Sequence, residues 1–267
     1  MNRILYIAGS AHCGSTILDI ILGAAPGVQS LGQVADLHKH DRCACGAILE
    51  DCELWSRVVT HEKMPDMTAL EQAGQLIRQE KGLLPLLSSS KKRRSYAALQ
   101  DRVFNLIFEA AGQNVLIDSS KNFSRALALA TASEYDVRIL HLVRDPRGFI
   151  NSSNKRRSEQ EKANTFLRPM TEWVIKNSIG SAVLQPLISD RYRQIHYESL
   201  LLEPEETLRS IGDFAGFDIE PIMGPIRRKN PFERQHIFAG NRVSTRESVT
   251  FDPSRIEGQR LKGMSNE

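Results

Sequence analysis

Apolar positions in this 267-residue chain follow two alternating periodicities. Residues 3–8, RILYIA, are apolar enough for a buried strand, and the apolar positions of 16–22 recur at helical spacing. Further strand signals stand at 115–117, ending in Asp118, at 137–143, running into Pro146, and at 193–197. Helical patterns fill the intervals, at roughly 68–80, 94–111, 122–133, 146–157, 168–188 and 204–215. This alternation predicts an α/β fold, a three-layer sandwich whose central parallel sheet has about four or five strands. No internal repeat interrupts it, so residues 1–267 read as a single domain. A Cys-rich insert at about 38–55 and an irregular C-terminal segment at about 232–267 depart from the pattern. In such sheets ligands bind beyond the carboxyl ends of the strands, which directs attention to the loops after Ala8, Ile117, Val143 and Tyr197.

A hydrophobic content of 41% and a charged content of 25% supply a buried core and argue against wholesale disorder. The net charge of +3 is too mild for a nucleic-acid partner and suits a small anion in a local basic pocket. The run Lys91 to Arg94 has no interleaved aromatic residues and reads as a solvated helix start. The apolar stretch 17–25 is broken by Asp19 and Gly23, is far short of a membrane span, and no secretory leader is visible. The expected location is the cytoplasm.

The first loop, GSAHCGST at 9–16, carries the chemistry. Two glycines five apart, followed by Ser15 and Thr16, have the spacing of a phosphate-binding P-loop, but Ser15 stands where a nucleoside triphosphatase has lysine. Gly9 and Gly14 let successive N–H groups point inward at a helix start. The expected anion contacts come from the backbone at Ser10, His12, Cys13 and Gly14 and from Ser15 and Thr16. Without the lysine such a loop suits a 5′-phosphate bearing a less charged group than the β/γ-phosphates of ATP.

The segment RILHLVRDPRGFINSS at 138–153 resembles the family of sulfotransferases that use 3′-phosphoadenosine 5′-phosphosulfate (PAPS). The resemblance implies that Arg144, at a strand end, and Ser152, eight positions later in the next helix, hold the 3′-phosphate. A strand-end guanidinium offers the fork of donors that phosphate accepts. IDSSKN at 117–122 is similar to the family's second strand-end motif and implies Lys121 near the transferred group. IHYESLLLEPEETLRSIGDFAGFD at 195–218 resembles a segment expected to be scaffold. HIFAGNRVSTR at 236–246 resembles the C-terminal loop, whose basic residues, Arg246 among them, close over the nucleotide. The implied reaction moves a sulfuryl group from PAPS, as co-substrate, to a hydroxyl or amine of a small-molecule or glycan acceptor, with no metal required.

Two positions depart from the family pattern. His12 stands where relatives have Arg or Lys, and Gln33 where they often have a glutamate base. Glutamine cannot accept a proton, which leaves Asp36, His38 and His12 as candidate bases. The cluster HKHDRCACGAILEDC gathers His38, His40, Cys43, Cys45 and Cys52. Three thiolates and one imidazole make a structural zinc site, but the C-x-C-G-x5-C spacing is not that of a zinc knuckle, so reduced thiols or a redox-labile pair are expected. Two alternatives stay open: a small P-loop kinase, with Asp118 as its one tempting magnesium ligand, and a nucleotide-binding protein without catalysis.

Overall fold

The computed structural model describes residues 2–77, 87, 89–154, 167–238 and 247–252. Five parallel strands form the central sheet: β1 (Arg3–Gly9), β2 (Val28–Gly32), β3 (Val115–Lys121), β4 (Asp136–Val143) and β5 (Tyr192–His196). Their spatial order is β2-β3-β1-β4-β5, which places β1 at the centre. The residue pattern of β1 explains why. Ile4, Tyr6 and Ala8 are fully buried in one apolar cluster, while Leu5 and Ile7 are fully buried in another on the opposite face. A strand apolar on both faces is stable only between two layers of helices.

The helices supply those layers. The described α-helices of four or more residues are, in chain order, α1 (Ser15–Gly23), α2 (Ser56–Val59), α3 (Met67–Ile77), α4 (Ser90–Ala111), α5 (Phe123–Ala132), α6 (Pro146–Asn154), α7 (Leu167–Ser178), α8 (Tyr197–Leu202), α9 (Pro204–Ala215) and α10 (Glu220–Arg227). Apolar residues of α3, α4 and α5 join the cluster of Tyr6, while those of α1, α9 and α10 join that of Leu5. On the first face a buried charge network fixes the packing. Arg125 of α5 donates to Asp118 of β3 through Nε and Nη2 at 3.0 and 2.8 Å, and through Nη1 to Tyr96 Oη and Gln100 Oε1 of α4 at 2.6 and 2.5 Å. Four bonds satisfy this wholly buried guanidinium, so the network orients two helices and leaves no unpaired charge.

The described part of the C-terminal segment holds two short strands that its aperiodic sequence does not suggest. β6 (Pro231–Glu233) pairs antiparallel with β7 (Ser248–Thr250). Phe238 then bridges Gly32, its N–H donating to Leu31 O at 2.8 Å and its carbonyl accepting from Gln33 N at 3.0 Å. The sheet edge beyond β2 is therefore covered by chain from the opposite terminus. None of the described helices is long and apolar enough to cross a membrane.

Candidate active site

The parallel sheet brings all the strand-end loops to one edge, and β1 pairs on both sides there. Ala8 pairs with Lys121 across a bulge in β3, and Gly9 pairs with Leu142, two residues before Arg144. Val143 pairs with His196, which puts Tyr197 next in line. The first loop, Lys121, Arg144 and Tyr197 are thus assembled by strand register alone.

Within the loop, backbone geometry is unusual where an anion cradle needs it to be. His12 has φ 60° and Gly14 has φ 98°. Gly14 is the cap residue of α1, which begins with no side-chain cap, so its first N–H groups face the loop. The Ser10 hydroxyl is fully buried and, among the described residues, makes no hydrogen bond. A buried hydroxyl without a partner costs free energy unless something fills its place. Ser15 and Thr16 are buried at the helix start, and Cys13 is buried with its thiol pushed upward by that burial.

Arg144 joins this loop to the rest of the edge. Its Nη1 donates to His12 O at 2.8 Å, and its guanidinium stacks 5.0 Å from the centre of the Tyr197 ring. Trp173 of α7 donates from Nε1 to Arg144 O at 2.7 Å. Asp145 takes Arg147 as its ion-pair partner, at 2.8 Å, and its N–H donates to Glu198 Oε1 at 3.0 Å. The adjacent Arg144 is therefore turned toward the loop and not toward its neighbour in sequence.

Lys121 has φ 66° and is half-buried. Burial lowers its pKa, while Cys13, Asp19 and Asp36 act in the opposite sense. Beneath the loop, Asp19 of α1 is wholly buried. Its carboxyl accepts from Ser30 Oγ, from Ser119 Oγ at 2.6 Å and from Gly32 N at 3.0 Å. Burial outweighs those bonds and pushes its pKa up to about 7.

Comparison with known proteins sets this geometry in a family. A sulfotransferase family model matches residues 5–221. The chain belongs to the sulfotransferase family. The sulfotransferase domain from the Synechococcus PCC 7002 olefin synthase is similar at 23% identity, covering 97% of this chain and 87% of that one, with TM-score 0.57. A sulfotransferase domain from the curacin biosynthetic pathway is similar at 19% identity, covering 96% and 86%, with TM-score 0.53. Sulfotransferase STF9 from Mycobacterium avium is similar at 17% identity, covering 100% and 78%, with TM-score 0.50. These structures share the fold of this sulfotransferase-family chain. No curated protein matches the sequence.

Against that frame the expected residues distribute unevenly. Ser10, His12, Cys13, Gly14, Ser15 and Thr16 form one loop, with Arg144 hydrogen-bonded to it. Ser152 lies half-buried on α6. Asp36 sits on the 3-10 turn Val34–Lys39, ion-paired with Lys39. Arg246 lies outside the described residues. His38 packs against Gly74 of α3, in helix packing. Asp118 is committed to Arg125, which removes it as a magnesium ligand and with it the main support for a kinase. The segment expected to be scaffold contributes directly, since Tyr197 and Glu198 shape the loop and the start of α6. Their position immediately after a parallel strand was the available signal.

Proposed function

We propose that this member of the sulfotransferase family transfers the sulfuryl group of PAPS to an acceptor hydroxyl or amine on a small molecule or glycan. The observation that carries this reading is the lysine-less loop with the unpartnered Ser10 hydroxyl at its base. That loop suits the 5′-phosphate of the nucleotide, held by backbone N–H groups of residues 10–15 and by the hydroxyls of Ser15 and Thr16. Arg144 and Ser152 take the 3′-phosphate.

In the transfer, the acceptor oxygen or nitrogen forms a new bond to sulfur. The bond from sulfur to the oxygen shared with the 5′-phosphate breaks, and 3′-phosphoadenosine 5′-phosphate (PAP) leaves with the electron pair. The protein's contribution is in-line positioning plus stabilisation of the charge that develops on that bridging oxygen. We assign Lys121 to that charge, a reading supported by its pairing with Ala8 at the loop's start. Burial lowers its pKa, while the nearby Cys13, Asp19 and Asp36 act to raise it. Gln33 supplies no base, and Asp36 and His12 are the candidates that remain at the edge.

The test is incubation of the purified chain with PAPS carrying labelled sulfur and a panel of hydroxylated and aminated small molecules and oligosaccharides. Label on an acceptor with matching PAP release supports the proposal. PAP binding without transfer to any member of the panel supports a non-catalytic binding protein, and magnesium-dependent ATP turnover without PAPS turnover overturns the proposal.

A further inference from the structure

The cysteine cluster has a fourth member that no spacing along the chain reveals. The Sγ atoms of Cys43, Cys45 and Cys52 and Nδ1 of His236 all lie within 4.8 Å of one another. His236 comes 184 residues after Cys52 and reaches the insert because Phe238 is fixed to Gly32. The two histidines nearest in sequence are not involved, as His38 packs on Gly74 and His40 faces the Phe238 ring.

The distances match one kind of occupant. A tetrahedral zinc ion with Zn–S about 2.3 Å and Zn–N about 2.0–2.1 Å requires S···S edges of about 3.8 Å and S···N edges of about 3.6 Å. Cys45 Sγ and Cys52 Sγ are 3.8 Å apart, and Nδ1 of His236 lies 3.1 and 4.0 Å from the sulfurs of Cys52 and Cys43. A disulfide needs sulfurs about 2.05 Å apart and unites two of the four groups, leaving the other thiol and the imidazole unexplained. The four cysteines, including Cys13, are free.

Surrounding groups are arranged as supports for ligands. The Cys45 N–H donates to Cys43 Sγ at 3.5 Å and fixes the side chain's position. Gly46, at φ 95°, closes the small turn that brings Cys43 and Cys45 together, with its N–H bonded to Cys43 O at 3.0 Å. His236 presents Nε2 to Glu53 Oε2 at 3.8 Å, leaving Nδ1 toward the sulfurs, and its carbonyl accepts from Trp55 Nε1 at 2.6 Å.

We propose that Cys43, Cys45, Cys52 and His236 bind a structural zinc ion. Four protein ligands leave no open position, so the ion is a clip and takes no part in group transfer. It fastens the insert to the C-terminal segment, and that segment in turn hydrogen-bonds Gln33 at the edge of the candidate active site. Its expected influence is on folding stability and on the order of residues 33–36.

The experiment uses the full chain without a polyhistidine tag, purified with reductant and without chelator, and measures zinc by plasma mass spectrometry. About one zinc per chain is expected, retained on dialysis and released in parallel with modification of the thiols. Cys45→Ser, at an exposed position, is expected to lose most of the zinc, and His40→Ala to keep it. Refolding with cobalt in place of zinc is expected to give the sulfur-to-metal charge-transfer and intense visible bands of a tetrahedral thiolate site, a readout that needs no variant. A folded wild-type chain without zinc, a Cys45–Cys52 disulfide in the reduced preparation, iron in place of zinc, or a cobalt form lacking those bands would each overturn the proposal.

Discussion

Gly14 joins the backbone of the first loop to the residues that grip it, so Gly14→Ala tests both at once. A Cβ added there would lie 2.3 Å from Tyr197 Cε2 and 2.4 Å from Cδ2. Carbon atoms need about 3.5 Å, so the ring must retreat by roughly 1 Å. At φ 98° the alanine also pays a left-handed penalty of about 1–2 kcal/mol. Overpacking at a filled contact adds about 1–3 kcal/mol. The Tyr197 ring cannot move alone, because the Arg144 guanidinium rests on it and holds His12 O. We therefore expect Tm to fall by roughly 10 °C, using about 2–4 °C per kcal/mol for a chain of this size. PAP affinity, measured by calorimetry below the new Tm, should fall at least tenfold. Gly14→Ala combined with Tyr197→Ala should regain part of the Tm, by removing the clash, but not the affinity. Unchanged Tm and unchanged PAP binding in the single variant would refute the reasoning that loop geometry and Arg144 are mechanically joined.

Three other outcomes follow from the buried charges. Arg125→Met strands Asp118 in the core and should cost about 3–5 kcal/mol in denaturant unfolding, part of which returns in the Arg125→Met, Asp118→Ala double variant. Asp19 holds its proton in the folded chain up to about pH 7, while in the unfolded chain it ionises near pH ~3.9. The native state binds more protons between those values, so this group lowers stability as pH rises through that window. Asp19→Asn should gain on the wild type by about 2–3 kcal/mol between about pH 5 and pH 8, and a difference that does not change with pH would contradict the buried-carboxyl account. Lys121→Ala should lower kcat by about 10²–10³ with a smaller change in PAP affinity, and the wild-type rate should decline on the alkaline side at lower pH than an ordinary lysine would dictate.

The central strands and most helices were legible because each buries apolar residues at one fixed period, as Leu5 and Ile7 of β1 oppose Ile4 and Tyr6. β2 was not, since VQSLG carries two aliphatic residues and owes its strand to pairing with β3. Nor was α10, whose Pro221 and Pro225 read as helix breakers although Ile222, Met223 and Ile226 bury one face of it. Among the candidate site residues, the first loop is legible from its own glycine spacing, whereas Arg144 is reached through the family resemblance of its strand-end motif. Tyr197 owes its role to contacts with Gly14 and Arg144, and His236 owes its place beside Cys52 to the Phe238–Gly32 bridge. Such contacts arise from tertiary folding and leave no local pattern.

The most direct test of the two-ended nucleotide grip is calorimetric titration with PAP and, separately, with ATP, on wild type and Arg144→Ala. PAP should bind the wild type more tightly than ATP, and Arg144→Ala should weaken PAP by about 1.5–3 kcal/mol, the range for a charge-assisted hydrogen bond. Preference for ATP, or PAP affinity untouched by loss of Arg144, would contradict it.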